Sequence, residues 1–140
     1  MILLDTNVVS EPLRQHPSDH VVEWIDAQPL ETLFLSAITV AELRAGVAML
    51  PAGKRRTALH EGLEKRVLPM FAGRVRPFNV DCTAVWAELM TQSRAAGAAI
   101  SMADSLIAAI AVSNGFIVAT RDAAPFLAAG VDVINPWERE

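Results

Sequence analysis

The chain has 140 residues, of which 52% are hydrophobic and 20% are charged. This length suits one domain with a sizeable core, and the composition excludes an intrinsically disordered protein. The net charge of −4 argues against a protein that coats nucleic acid by charge alone, although acids gathered to bind a metal would lower the charge in the same way.

Five short apolar runs, taken in chain order, have the length and composition of β-strands. They cover residues 2–4, 33–35, 75–78, 116–119 and 131–134, of which 75–78 is the weakest. Most of these runs do not alternate apolar with polar residues. That pattern is typical of strands that are covered by other elements on both faces of a sheet.

Helical patterns fill the segments between the apolar runs. Four of these patterns follow a residue that can cap a helix N-terminus, namely Ser18, Thr39, Asp81 and Ser101. They end near residues that stop a helix, which are Pro29, Pro51, Gly97 and Gly115. The alternation predicts an α/β fold: a short parallel sheet of four to five strands with helices on both faces, in one domain over residues 1–140.

Several classes of protein are excluded or disfavoured by what the chain lacks. No run of about 18 apolar residues is present, so we predict no membrane span. The first residues lack the basic region of a secretory signal and reach Asp5 within five residues, so we expect a cytoplasmic protein. The single cysteine, Cys82, cannot form an intrachain disulfide, and together with three scattered histidines it cannot form a thiolate zinc site.

Carboxylates follow the predicted strands at the positions where α/β sheets bind ligands. Asp5 comes directly after the first strand, and Asp122 comes three residues after Ala119. Glu42 and Asp104 lie near the start of the helices predicted after Thr39 and Ser101. Because the carboxyl ends of parallel strands meet at one edge, we expect these four acids to converge there.

Each of these acids also has a purely structural interpretation. Glu42 and Asp104 fit the capping box, in which an acid three residues after Thr39 or Ser101 reaches back to the helix N-terminus. Asp5 and Asp122 can act as helix caps themselves. Four acids at one sheet edge would nevertheless repel one another unless they were protonated or bridged by a cation. Ligands that are all oxygen favour Mg²⁺ or Mn²⁺, and phosphodiester hydrolysis is the natural use of such a site.

Four stretches of the sequence resemble the motifs of PIN-domain ribonucleases, and in particular of the VapC toxins of toxin–antitoxin pairs. These stretches are Leu-Leu-Asp-Thr-Asn at 3–7, Ser-Ala-Ile-Thr-Val-Ala-Glu-Leu at 36–43, Asp-Ser-Leu-Ile-Ala-Ala at 104–109 and Ala-Thr-Arg-Asp at 119–122. Ser-Glu-Pro-Leu-Arg at 10–14 and Asn-Pro-Trp at 135–137 are most similar to the FitB branch. The four motifs occur in the family's order along nearly the whole chain.

The resemblance implies a metal-dependent endoribonuclease that a small antitoxin inhibits. By position, Asp5, Glu42, Asp104 and Asp122 match the acidic quartet that would bind Mg²⁺ or Mn²⁺. We expect Thr120 to position the attacking water, and we expect Thr6 and Asn7 to hold the turn after the first strand and the side chain of Asp5. The resemblance also implies a homodimer, a heterocomplex with the antitoxin, and contact with DNA only through that antitoxin.

Alternatives remain open at this point. Phosphoryl transfer through an aspartyl intermediate at Asp5 would require a second acid where Asn7 stands, and a receiver-type phosphoacceptor would require a late lysine, although none follows Lys65. A non-catalytic role as the dimerising subunit of a DNA-binding repressor complex is compatible with the sequence. Arg121 would either contact a substrate phosphate or pair with a carboxylate, and Trp137 would either seal the sheet edge or meet a partner.

Overall fold

A computed structural model of the protein describes residues 1–138. Residues 139 and 140, which the predicted domain includes, lie outside the described residues. Five parallel strands form one sheet in the order β3-β2-β1-β4-β5. The strands are β1 (Ile2–Leu4), β2 (Leu33–Ser36), β3 (Val75–Arg76), β4 (Ile117–Ala119) and β5 (Val133–Ile134). The predicted α/β class and parallel sheet are confirmed.

Helices cover both faces of this sheet. They are α1 (Thr6–Ser10), α2 (Asp19–Ala27), α3 (Ala37–Ala48), α4 (Lys54–Gly62), α5 (Leu68–Met70), α6 (Val80–Ala95), α7 (Met102–Asn114) and α8 (Ala123–Ala128). Short 3-10 turns occupy Glu11–Leu13 and Leu30–Thr32, and a π-helical turn at Leu63–Val67 connects α4 to α5. No helix within residues 1–138 is long and apolar enough to cross a membrane.

Successive strand residues divide the core into two layers, because side chains alternate between the faces of a strand. Leu3 and Val118 pack with α6, α7 and α8 on one face. Leu4 and Ala119 pack with α1, α3 and the Leu63 turn on the other face. Burial on both faces explains why the strands are apolar runs without alternation.

The longest helices, α6 and α7, pack against each other on one face of the sheet. The indole Nε1 of Trp86 donates a 2.9 Å hydrogen bond to the buried Oγ of Ser105, which in turn donates to the Met102 carbonyl oxygen. Helix α7 ends as predicted at Gly115, whose φ of 71° is in the left-handed region that favours glycine at this position. The contact between α6 and α7 places the start of α7, and hence Asp104, beside the sheet edge.

Two predicted helix starts are wrong. The helix expected to begin at Thr39 begins at Ala37, because Ser36 Oγ at the end of β2 accepts a 3.0 Å hydrogen bond from the backbone N–H of Thr39. The helix expected to begin after Asp81 begins at Val80, with the side chain of Asn79 as its cap. In each case a suitable polar side chain lies two or three residues earlier and satisfies the free N–H groups first.

Candidate active site

The carboxyl edge of the sheet is built around Asp5, which directly follows the central strand β1. This residue caps α1: its Oδ1 accepts a 2.8 Å hydrogen bond from the backbone N–H of Thr6. Its Oδ2 accepts a 2.7 Å hydrogen bond from the hydroxyl of Thr120 at the end of the adjacent strand β4. The order of the strands reverses between β1 and β4, which is where open α/β sheets bind ligands.

Asp5 is only 5% exposed, and its environment disfavours the ionised form of its carboxyl group. Burial raises the pKa of Asp5 to about 6, against the lowering effect of the hydrogen bonds from Thr120 and Thr6. The negative charges of Asp104 and Glu42 act in the same direction as burial and are smaller contributions to this raised pKa. A buried acid with like charges nearby is typical of a functional site.

Thr120 lies fully buried between two of the acids. Its Oγ1 donates to Asp5 and accepts a 3.2 Å hydrogen bond from the backbone N–H of Asp122. The hydroxyl proton is therefore directed at Asp5, and the positioning of an attacking water by Thr120 stays a prediction. Asp122 precedes α8, and its own side chain makes no capping hydrogen bond and is exposed.

Glu42 reaches the same edge from α3. Its Oε1 accepts a 2.7 Å hydrogen bond from the hydroxyl of Thr6, which also lies 3.2 Å from the hydroxyl of Thr39. The capping box expected between Thr39 and Glu42 is not formed, because Thr39 is inside the helix. Thr6 therefore orients two acids: the Thr6 hydroxyl holds Glu42, and the Thr6 backbone N–H holds Asp5.

Asp104 completes the group from the first turn of α7. Its backbone N–H donates a 3.1 Å hydrogen bond to the Oγ of Ser101, so the predicted cap at Ser101 is confirmed. The pKa of Asp104 is raised, first by burial and then by the charges of Glu42 and Asp122, while the Ser101 hydroxyl acts in the opposite direction. The structure therefore brings the predicted acids to one edge as neighbours, with Asp104 and Glu42 near Asp5 and with Asp122 near Asp104.

No protein cation neutralises these acids in the described structure. The three salt bridges formed within residues 1–138 involve Glu11, Glu61 and Glu64 as their acids. Over the same residues, no three His, Cys, Asp or Glu side chains form a ready-made metal ligand set. Carboxylate oxygens are ligands of the type that Mg²⁺ and Mn²⁺ prefer, so these four acids are the residues at this edge that could hold such an ion.

Asn7 and Arg121 connect the two sides of this edge. The side-chain Oδ1 of Asn7 accepts a 3.4 Å hydrogen bond from the backbone N–H of Arg121. The guanidinium of Arg121 lies over the ring of Trp137, with 5.2 Å between its Cζ and the ring centroid. Asn135, which the sequence identified only as part of the Asn-Pro-Trp motif and without a role, donates from Nδ2 to the Arg121 carbonyl oxygen. The Asn-Pro pair after a strand was the available signal, since it indicates a turn.

Comparison with known sequences gives a consistent set of relatives. A profile of the PIN domain matches residues 2–130. The chain is 65% identical to the plasmid stability protein StbB of Pseudomonas syringae pv. tomato and 59% identical to the VapC ribonuclease Y4jK of Sinorhizobium fredii, each over 99% of both chains. It is 53% identical to the toxin FitB of Neisseria gonorrhoeae, over 98% of this chain and 99% of that one.

Solved structures agree with the sequence comparison. The crystal structure of FitAcB from Neisseria gonorrhoeae matches with a TM-score of 0.96 and 52% identity, covering 99% of this chain and 100% of the other. The structure of FitAB bound to an IR36 DNA fragment matches with a TM-score of 0.97 and 51% identity, covering 100% of this chain and 98% of the other.

Proposed function

The chain belongs to the PIN-domain family, and from this premise we propose that it is the toxin of a toxin–antitoxin pair, an endoribonuclease that hydrolyses RNA with Mg²⁺ or Mn²⁺. The observation that carries the proposal is the buried carboxylate of Asp5, surrounded by Asp104 and Glu42 without a protein cation among the described residues. The relatives named as a VapC ribonuclease and as the toxin FitB support the same activity.

A divalent cation would be bound by Asp5, Asp104 and Asp122, with Glu42 binding the ion or one of its waters. When bound, such an ion lowers the pKa of a water and neutralises charge on phosphate oxygens. The donor set fits this ion because all its ligands are carboxylates and because the charges of these acids disfavour one another without it.

The protein's own side chains prepare this edge for an attack by water on an RNA phosphate. Thr120 and the Thr6 backbone N–H occupy one lone pair on each oxygen of Asp5, which fixes the direction of the remaining lone pairs. The Thr6 hydroxyl fixes one oxygen of Glu42 in the same way. These contacts place the acids before substrate arrives, so little reorganisation is needed during the reaction.

We propose that a small antitoxin is the partner that inhibits this activity. The structure offers an open groove of about 530 Å³ between α3 and α4, where the apolar side chains of Val47 and Leu63 lie next to a salt bridge between Arg44 and Glu64. A groove of this kind suits an amphipathic segment of another chain. We also propose a homodimer and a cytoplasmic location, and contact with DNA only through the antitoxin.

A second candidate function is the regulatory one, in which this chain acts as the dimerising subunit of a DNA-binding repressor complex without cleaving RNA. The observation that favours it is the close match to a FitAB structure bound to DNA. The two functions differ in their need for metal, because a purely structural subunit does not require an ion at Asp5.

Cleavage of a panel of end-labelled tRNA and rRNA fragments tests the proposal. Antitoxin-free protein is incubated with Mg²⁺, Mn²⁺ or EDTA, beside Asp5→Asn and the matched control Asp26→Asn. Asp26 is exposed in the last turn of α2, which leads into the opposite end of β2. We expect discrete, metal-dependent products from the wild type and the control, and none from Asp5→Asn. Intact RNA in every reaction with folded, antitoxin-binding protein would favour the regulatory function.

A further inference from the structure

Arg121 has a backbone that is fixed on both sides at the edge of the acidic site. It lies between Thr120 and Asp122, and its backbone N–H donates to Asn7. Its carbonyl oxygen accepts a 3.3 Å hydrogen bond from Asn135 Nδ2. The Oδ1 of Asn135 in turn accepts a 3.0 Å hydrogen bond from the backbone N–H of Trp137. One asparagine therefore determines how the segments after β4 and β5 lie relative to each other.

The side chain of Arg121 is exposed and stacked on an aromatic ring that is itself held in place. Trp137 is partly buried and packs against the core layer that contains Leu4 and Ala119. With 5.2 Å between the Arg121 Cζ and the ring centroid, the guanidinium is within cation–π range. The sequence left open whether Trp137 seals the sheet edge or meets a partner, and its packing against the core favours the former.

Stacking leaves the hydrogen-bonding capacity of Arg121 unused. The guanidinium has five N–H donors, and a cation–π contact with a ring does not pair them with an oxygen acceptor. Within residues 1–138 the guanidinium forms no salt bridge with an acid and donates no hydrogen bond. Arg121 therefore forms no salt bridge even with Asp122, the residue that follows it in the sequence. No acid among residues 1–138 therefore neutralises Arg121 through a salt bridge.

The position of this pair suits the strand of an RNA whose phosphate lies at the acids. Arg121 follows β4 and Trp137 follows β5, and neighbouring strands are about 4.8 Å apart. Arg121 directly precedes Asp122, and its guanidinium contacts Trp137, so its side chain extends to the β5 side of the carboxyl edge. An RNA backbone carries a negative charge at every nucleotide, and bidentate binding of phosphate is a geometry that arginine favours.

We infer that Arg121 binds an RNA phosphate adjacent to the one that is cleaved, and that Trp137 positions the Arg121 guanidinium for this contact. The inference rests on the proposed ribonuclease function and adds a substrate-binding residue to it. Because a phosphate contact carries no base information, Arg121 affects affinity for all RNA substrates about equally.

Equilibrium binding of RNA to a protein that cannot cleave it provides the first test. The Asp5→Asn variant is titrated with the fluorescein-labelled tRNA and rRNA fragments, alone and combined with Arg121→Gln, Arg121→Lys or Arg55→Gln. Arg55 is the matched control because it is exposed in the first turn of α4, beyond the far end of α3. Dissociation constants are measured at several salt concentrations.

Distinct results are expected for these variants. Arg121→Gln raises the dissociation constant for RNA about 10-fold. It also reduces the magnitude of the slope of log association constant against log salt concentration by about 0.7, the value for one phosphate contact on a single strand. Arg121→Lys restores the slope but only part of the affinity, because lysine lacks the planar fork. Arg55→Gln changes neither quantity.

Trp137→Leu tests the positioning role, with Trp137→Phe as a milder change should leucine lower the melting temperature. Loss of the ring raises the dissociation constant about 3-fold. Combined with Arg121→Gln it adds nothing further, because Trp137 acts through Arg121. Additive effects of the two substitutions contradict the positioning role.

Kinetics separate this inference from the proposed function. In the active protein, Arg121→Gln raises KM and leaves kcat unchanged. If the wild type cleaves RNA and Arg121→Gln has wild-type KM and salt slope, the inference is wrong and the function stands. If Arg121→Gln weakens antitoxin binding instead, Arg121 belongs to the protein interface and the inference is also wrong. If the wild type neither binds nor cleaves RNA, the function itself is wrong.

Discussion

The hydroxyl of Thr120 donates a 2.7 Å hydrogen bond to Oδ2 of Asp5, and it does so from the end of β4 to the end of β1. Both residues are buried, so solvent does not supply a substitute donor. This contact connects the two strands between which the sheet order reverses, and it fixes the orientation of the most deeply buried acid of the site.

We predict that Thr120→Val lowers kcat/KM by about 10- to 100-fold, as loss of a group that orients a metal ligand typically does. Valine has the shape of threonine but no hydroxyl, so Asp5 loses the hydrogen bond that lowers its pKa. The lower limb of the pH–rate profile then moves to higher pH. Thr120→Ser, which keeps the hydroxyl, is the control. A wild-type pH profile for Thr120→Val would show that the hydrogen bond has no role in catalysis.

We predict that Thr6→Val weakens Mn²⁺ binding by about 10-fold with little change in thermal stability. The Thr6 hydroxyl donates a 2.7 Å hydrogen bond to Oε1 of Glu42. Because Glu42 is exposed, loss of this hydrogen bond leaves the Glu42 side chain free to move away from the edge. The backbone N–H of Thr6 still binds Asp5. Isothermal titration measures the affinity. Thr6→Ser is expected to behave as wild type, and equal affinities for Thr6→Val and wild type contradict the assigned role.

The convergence of Asp5, Glu42, Asp104 and Asp122 was predictable because it depends on local signals. Short apolar runs mark the strands, and parallel strands bring their carboxyl ends to one edge. Gly115 could likewise be identified as the residue after α7, because a left-handed helix end favours glycine wherever it occurs. Signals of this kind are contained within a few consecutive residues.

The hydrogen bonds inside the site were not predictable from the sequence. Thr6 and Glu42 are 36 positions apart in the sequence. Whether the Thr6 hydroxyl reaches Glu42 depends on where helix α3 starts. That start was misassigned because Ser36 and Thr39 are both good caps, and only the end of β2 decides between them. Stacking of Arg121 on Trp137 depends in the same way on the pairing of β4 with β5.

We predict that Asp5→Asn stabilises the protein in EDTA at neutral pH. Between about pH 4 and pH 6 the unfolded chain has lost the Asp5 proton while the folded chain keeps it, because burial raises the pKa of Asp5 to about 6. The free energy of unfolding therefore falls as pH rises through this range, and the full penalty of about 3 kcal/mol remains above it. Asparagine carries no charge and avoids this penalty.

Urea unfolding in EDTA at pH 4, 5, 6 and 7.5 measures this effect. The advantage of Asp5→Asn over wild type is greatest at pH 7.5 and becomes small at pH 4, where the folded wild type keeps the Asp5 proton and the unfolded wild type is about half protonated. Asp26→Asn, which changes an exposed aspartate outside the site, is the matched control. An Asp5→Asn variant that is less stable than wild type at pH 7.5 would mean that the ionised carboxylate is stabilised in the folded protein.

We predict that Mg²⁺ and Mn²⁺ raise the melting temperature of the wild type, because an ion that binds only the folded state stabilises it by about 2.7 kcal/mol at 100 times its dissociation constant. The shift is smaller at pH 5.5 than at pH 7.5, since the ion must displace the proton on Asp5 and the pKa of Asp104 is also raised. Asp104→Asn reduces the shift at both pH values. Equal shifts in wild type, Asp5→Asn and Asp104→Asn would place the ion elsewhere on the protein. The absence of a shift in all three proteins would leave the acids with a structural role only, which is the outcome expected for a regulatory subunit that does not cleave RNA.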